Sequence, residues 1–255
     1  MNSRLTSGVF AAACVAASSA AHAVPLTDRA SFVLFAGGNV SMPGSFSGQT
    51  EPLQTTDPLG STVYTDLKFS DAYKNGVIGG AEFDYALNSH LSGFGRFAYT
   101  AFDGSTQKIG EFEPTVDGTG HAISATFGDA STRELDLGAR YTFMPGEKWR
   151  PFFGAALGAS HMSATRAQVE NINGFGDTHV ELAPASTVFQ QRLETGLQYS
   201  PVRDFDLRLT AAASHTNGAD RSDDPNLASL GLDNSSGEMR GHWDYPAELG
   251  AVWHF

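Results

Sequence analysis

The chain closes with Trp243-Asp244-Tyr245-Pro246-Ala247-Glu248-Leu249-Gly250-Ala251-Val252-Trp253-His254-Phe255, and this stretch decides how the rest is read. Taken alternately, Trp243, Tyr245, Ala247, Leu249, Ala251, Trp253 and Phe255 form one wholly apolar series. Asp244, Pro246, Glu248, Gly250, Val252 and His254 form the other. Successive side chains of a β-strand point to opposite faces, so this alternation marks a strand with two unlike sides.

The same pattern recurs upstream. Val77, Ala81, Phe83, Tyr85 and Leu87 alternate with Gly80, Glu82 and Asp84; Leu135, Leu137, Ala139, Tyr141 and Phe143 alternate with Glu134, Asp136, Arg140 and Thr142. Phe189, Leu193, Leu197 and Tyr199 oppose Gln190, Arg192, Glu194 and Gln198, and Phe205, Leu207, Leu209, Ala211 and Ala213 oppose Asp206, Arg208, Thr210 and Ser214. Residues 29–39, 90–102 and 149–163 bring the total to eight strands. In 149–163, Phe153, Ala155, Leu157 and Ala159 share a face, whereas in 29–39 the run Phe32-Val33-Leu34-Phe35 leaves the faces unassigned.

Short and long connections alternate. The short ones, Asn88-Ser89-His90, Pro145-Gly146-Glu147-Lys148 and Ser200-Pro201-Val202-Arg203, carry residues suited to tight turns; the long ones are rich in Gly, Asp, Ser and Asn and read as polar loops. An up-and-down arrangement puts all long loops at one end and all short turns at the other. Val63, Thr65, Leu67 and Phe69 also alternate and precede the hairpin dipeptide Asn75-Gly76. Because single-chain membrane barrels have even strand numbers, residues 61–73 are read as an extracellular extension or hairpin within the first loop.

Alternation alone does not say which face meets water. The polar face pairs Arg96, Arg140, Arg192 and Arg208 with Glu82, Asp84, Glu134, Asp136, Glu194, Asp206 and Glu248, with no lysine. Arginine binds carboxylates through a planar fork and suits a buried ion-pair network, so this face reads as a packed interior and the apolar face as the outside. Trp253 and Phe255 at one end of the last strand, and Trp243 and Tyr245 at the other, are spaced as the two aromatic girdles of a membrane barrel. The expected fold is all-β: an eight-stranded antiparallel up-and-down transmembrane β-barrel with four long extracellular loops and three short periplasmic turns.

Arg4, an uncharged stretch around Gly8 to Ala13 and Ala21-His22-Ala23 read as a signal peptide over 1–23, leaving the barrel domain 24–255 and an outer-membrane address. The single cysteine, Cys14, falls in that leader, so no disulfide or thiolate metal site is expected beyond it. With 16 basic against 28 acidic residues the chain is a poor partner for nucleic acid.

The strand from Val77 to Leu87, preceded by Phe69-Ser70-Asp71-Ala72-Tyr73, together with the ending Leu249 to Phe255, resembles the eight-stranded barrel domain of the outer-membrane protein A type. The resemblance implies that Phe255 is part of the signal read by the barrel-assembly machinery. Family members that bind peptidoglycan do so through a domain beyond the barrel, so that anchoring role is not implied here. Outer-membrane lipids and lipopolysaccharide are the implied surroundings, with an extracellular ligand as a further partner.

His161-Met162-Ser163 is the first place to look for chemistry, since residues two apart on a strand share a face. It is similar to the His-x-Ser of lipid A deacylases, but Ala164 follows and no carboxylate stands outward on the next strand. His215-Thr216-Asn217 is a weaker version. Asp220, Asp223, Asp224, Asp233 and Glu238 offer oxygen ligands without the spacing of a calcium loop. No catalytic residue, cofactor or metal is therefore assigned. The leading expectation is a structural or surface-interaction barrel; the alternatives are a narrow channel, a lipid A-modifying hydrolase and a soluble lipocalin-like binder.

Overall fold

The computed structural model describes residues 29–39, 42, 45–46, 53–57, 60–65, 67–114, 120–170, 178–202, 204–218 and 241–255; the expected leader lies outside them. The strands in chain order begin with β1 (Ala30–Asn39), β2 (Ser45–Phe46), β3 (Leu53–Asp57), β4 (Gly60–Tyr64) and β5 (Leu67–Lys68). After a one-turn helix, Phe69–Ala72, come β6 (Gly76–Ala86), β7 (Leu91–Phe102), β8 (Thr106–Pro114), β9 (His121–Phe127), β10 (Ala130–Thr142) and β11 (Trp149–Met162). The remainder are β12 (Thr165–Val169), β13 (Thr178–Ala183), β14 (Ser186–Val202), β15 (Phe205–Thr216), β16 (His242–Asp244) and β17 (Ala247–His254).

Eight staves close on themselves in the order β1, β6, β7, β10, β11, β14, β15 and β16/β17, every neighbouring pair antiparallel. The last stave is one strand interrupted at Tyr245-Pro246, because proline has no N–H to give the ladder. Its tilt can be read from the register. A ladder row from Phe32 passes through Phe83, Gly95, Leu137, Leu157, Gln191 and His215 to Trp243. Phe32 itself pairs with Trp253 on that last stave. The row thus climbs ten residues in one circuit, a shear that tilts the strands and leaves a bore narrow enough for side chains to fill.

The faces fall as the alternation requires. Leu137 is 71% and Leu249 61% exposed on the outside, whereas Asp136, Arg140 and Glu248 are buried inside. The first strand resolves too: Phe32 and Leu34 point out, Val33 and Phe35 in. Both its faces are apolar because Phe35 fills part of the bore, and the same device appears three times. Phe35 lies across from Gly80, Phe94 from Gly138 and Phe152 from Gly196, and a Cβ on any of these glycines would come within 2.6 Å of the facing ring. The missing side chain makes a seat for the ring.

Two turns match their expected composition and one is tighter. Asn88 Oδ1 accepts the backbone N–H groups of His90 and Leu91 at 2.9 and 2.8 Å, an Asx turn. The expected turn from Ser200 to Arg203 is shorter, since β14 continues to Val202 and pairs it with Phe205. Asn75-Gly76 makes no hairpin; Gly76 opens β6 opposite Asn39.

The sequence reading treats the long connections as polar loops, and the structure corrects it. β3, β4, β8, β9, β12 and β13 form a second, six-stranded antiparallel sheet beyond the barrel. Its inner face closes on a core containing Tyr64, Leu67, Phe69, Tyr73, Ile109, Phe112, Ile123, Phe127, Val169, Val180 and Leu182, which meets the barrel lip at Phe102, Ala130 and Met162. Residues 61–73 do lie within the first loop, but not as one alternating strand. The chain turns at Thr65, which is exposed, so that Tyr64, Leu67 and Phe69 all reach the core.

Burial in this cap holds the phenols of Tyr64 and Tyr73 up at about 12, from the usual 10.0. The folded state keeps a proton that the unfolded chain releases from about pH 10, so this stabilisation is complete below pH 10 and is lost as pH rises towards 12. An ultraviolet titration of the folded protein is expected to show two of its seven tyrosines ionising only near pH 12. Tyr64→Phe should remove one of those two steps. A titration in which Tyr64→Phe removes no step near pH 12 would mean that the cap is not closed.

Candidate functional site

The inward residues of the eight staves converge on one charged network. Arg96 donates to Glu134 and Asp136, both at 3.0 Å, and to Glu248 at 2.7 Å. Arg140 donates to Glu82 at 2.9 Å, Asp84 at 3.0 Å and Glu194 at 2.5 Å. Arg192 joins Glu194 to Glu248 at 3.3 and 3.0 Å, Arg208 holds Asp84 at 2.5 Å and also Glu82, and Arg150 holds Asp206. Several of these pairs span the bore: Arg96 on β7 reaches Glu248 on β17, and Arg208 on β15 reaches β6. The guanidinium groups also lie over the seated rings, Arg96 at 4.7 Å from the Phe35 centroid and Arg140 at 4.5 Å from Phe94.

The sequence reading finds the charges of this network except Arg150, and not everything else that completes it. Gln190 donates to Glu134 at 3.3 Å, and Gln198 and His254 both reach Asp206, His254 at 2.5 Å. Position on the inward series was the available signal for both glutamines. The inward phenylalanines give no such signal, because Phe94 and Phe97 are chemically alike and only the register separates them.

The residues inspected for catalysis are not assembled into a site. His161 Nδ1 lies 2.9 Å from the Thr187 hydroxyl, while Ser163 Oγ accepts the Ser131 N–H at 2.9 Å, so the imidazole and the hydroxyl are each held by another residue. Thr216 belongs to β15 rather than a loop and is buried beside His242, which in turn meets Asp244 at 2.8 Å. Thr216 Oγ1 is 2.8 Å from Nδ1 and 3.2 Å from Nε2 of that one ring. An oxygen so nearly equidistant lies off the lone-pair axis of both nitrogens and is poorly placed to pass a proton to either. Asp220, Asp223, Asp224, Asp233 and Glu238 lie outside the described residues, and among the described residues no three ligating groups converge on a metal position.

No protein-family model matches the chain, and no curated protein matches it. Solved structures do align with it. Neisserial surface protein A is 14% identical, with 89% of this chain and 96% of that one covered, at a TM-score of 0.41. The attachment invasion locus protein Ail of Yersinia pestis is 14% identical over 90% and 100%, at 0.41. The outer membrane protein OprG of Pseudomonas aeruginosa is 11% identical over 89% and 98%, at 0.45. That this chain is a closed eight-stranded antiparallel β-barrel rests on its own hydrogen-bonded ladder.

Proposed function

We propose that the chain is an exported outer-membrane protein whose barrel holds the bilayer and whose six-stranded extracellular sheet is its surface for interaction. One observation carries the reading: a predominantly apolar belt around a charged interior. Phe83, Phe97, Leu135, Leu137, Phe153, Leu193, Leu209 and Leu249 all stand exposed on the outside. In water they would form an apolar surface far larger than the few hundred Å² soluble proteins tolerate, whereas hydrocarbon requires such a belt on a closed barrel. Tyr85, Tyr141, Trp149 and Trp253 rim one edge and Tyr99, Trp243 and Tyr245 the other, as expected of aromatic girdles.

In this reading residues 1–23 are removed as a leader, outer-membrane lipids and lipopolysaccharide surround the belt, and the extended sheet meets an extracellular partner. The cross-bore ion pairs and the packed cap both work against a channel, and the separated His161 and Ser163 give no support to a hydrolase. Washing cell membranes with urea tests the reading against a soluble binder: the protein should stay in the pellet, and its release would overturn the membrane assignment. Deleting Phe255, the end of the last stave, should lower the amount reaching the outer membrane while leaving refolding in detergent intact. Wild-type membrane levels after that deletion would remove the assembly role.

A further inference from the structure

Arg133 breaks the pattern of the barrel. Arg96, Arg140, Arg192 and Arg208 all point into the bore, yet Arg133 on β10 is exposed on the outside, one step beyond Leu135 in the apolar belt. Among the described residues it has neither an ion-pair nor a hydrogen-bond partner. Its ladder neighbours are Tyr99 on β7 and His161 on β11, and His161 in turn faces Thr187 on β14. These are outward side chains of one row.

The level of that row follows from the tilt. From Leu137 the ladder row passes Leu157, Gln191 and His215 to Trp243, climbing roughly 3 Å per stave or about 12 Å in all. Arg133 stands four residues beyond Leu137 on its own strand, about 10 Å higher at the same tilt. Arg133 is therefore level with the Trp243 girdle, where a bilayer carries its headgroups. A lone arginine in hydrocarbon is unfavourable; at this level its fork of donors meets phosphate.

We propose that Arg133 and His161 bind a phosphate group of an outer-leaflet glycolipid. The inference rests on the outer-membrane reading above. Arg133 supplies the paired donors, and His161, its Nδ1 oriented by Thr187, presents its other ring nitrogen. Above them, on strands that continue β10, β11 and β14 outward, lies an open groove of about 430 Å³ whose polar lining includes Thr126, Gln168, Arg166 and His179. Glu181 also lines it and pairs with Arg166 at 3.3 Å, so the groove offers both donors and acceptors, as sugar hydroxyls require. A chain of net charge −12 repels free anions from solution, whereas a lipid delivers its phosphate within the membrane plane; this favours the lipid as the source.

The test uses wild-type protein and Arg133→Gln refolded into phospholipid nanodiscs, with bound glycolipid measured by native mass spectrometry. Purified lipopolysaccharide, its dephosphorylated form and inorganic phosphate are the probes. Wild type should retain the phosphorylated form, and Arg133→Gln should bind it roughly tenfold more weakly, about 1.4 kcal/mol. The dephosphorylated form should not distinguish the two proteins. Arg133→Lys should fall between them, since lysine keeps the charge but not the planar fork, and it carries the test if the glutamine variant does not refold.

Equal retention of phosphorylated lipopolysaccharide by wild type and the Arg133 variants overturns the site. So does equal retention of both lipid forms by wild type. Displacement of the lipid by millimolar inorganic phosphate would assign a free-anion site and overturn the lipid as its occupant. Failure of wild type to enter nanodiscs would strike the membrane reading itself, a result distinguishable from a protein that enters and ignores phosphate.

Discussion

Arg96→Met should lower the stability of the barrel in lipid by about 3–5 kcal/mol, the range for removing one partner of a buried ion pair. Among the described residues Arg96 makes the only salt bridges to Glu134 and Asp136; Gln190 is the other side-chain donor there, and its contacts are long, at 3.3 and 3.4 Å. Glu134 and Asp136 are both buried, so two neighbouring carboxylates would lose their salt bridges, with Arg192 acting on Asp136 only from beyond salt-bridge distance. Arg140→Met supplies the contrast. There Glu82 and Asp84 keep Arg208, and Glu194 keeps Arg192, so the loss should be smaller. Urea titration of the refolded proteins ranks them, and equal losses would mean that the network is solvated rather than closed.

Leu249→Arg is expected to be destabilising by about 2–4 kcal/mol, the range for arginine on the lipid face at the bilayer midplane. Leu249 lies between the girdle residues Trp253 and Trp243 of its own stave and is 61% exposed on the outside. Its neighbour Glu248 faces the opposite way and accepts from Arg96 and Arg192. Each of these arginines has another carboxylate, and the bore holds five arginines against seven acids, so Glu248→Gln should be much milder. A tolerated Leu249→Arg beside a damaging Glu248→Gln would show a barrel that faces water on the outside.

The two residues differ by one position in sequence, and their opposite fates explain why so much of the barrel was legible. A period of two is the geometry of the strand itself, and a long strand between an apolar exterior and a charged bore writes both environments into alternate residues. The eight staves, and every charge of the network except Arg150, could be read this way. β1 could not be assigned a face, because Phe35 is as apolar inward, over Gly80, as Phe32 is outward. The cap was missed for a different reason. β4, β12 and β13 are five or six residues long, and the core members Tyr64, Leu67, Phe69 and Ala72 come from a strand, a two-residue strand and a helical turn in succession, with no single period. His161 stands on the outward series of β11; what one strand could not reveal is that Arg133 stands beside it, since that proximity is set by register.

The six-stranded sheet beyond the barrel has a mechanical consequence. β8, β9, β12 and β13 lead within a few residues into β7, β10, β11 and β14, so the strands that form the tip are continued by staves of the barrel. A pull applied to the tip along the barrel axis meets these tilted strands obliquely, with its larger component along their length. Neighbouring ladders are then loaded in shear, with many hydrogen bonds resisting together, instead of being peeled open one bond at a time. The cap is thus attached as a cable is to its anchor, with continuous strands carrying tension into the closed barrel.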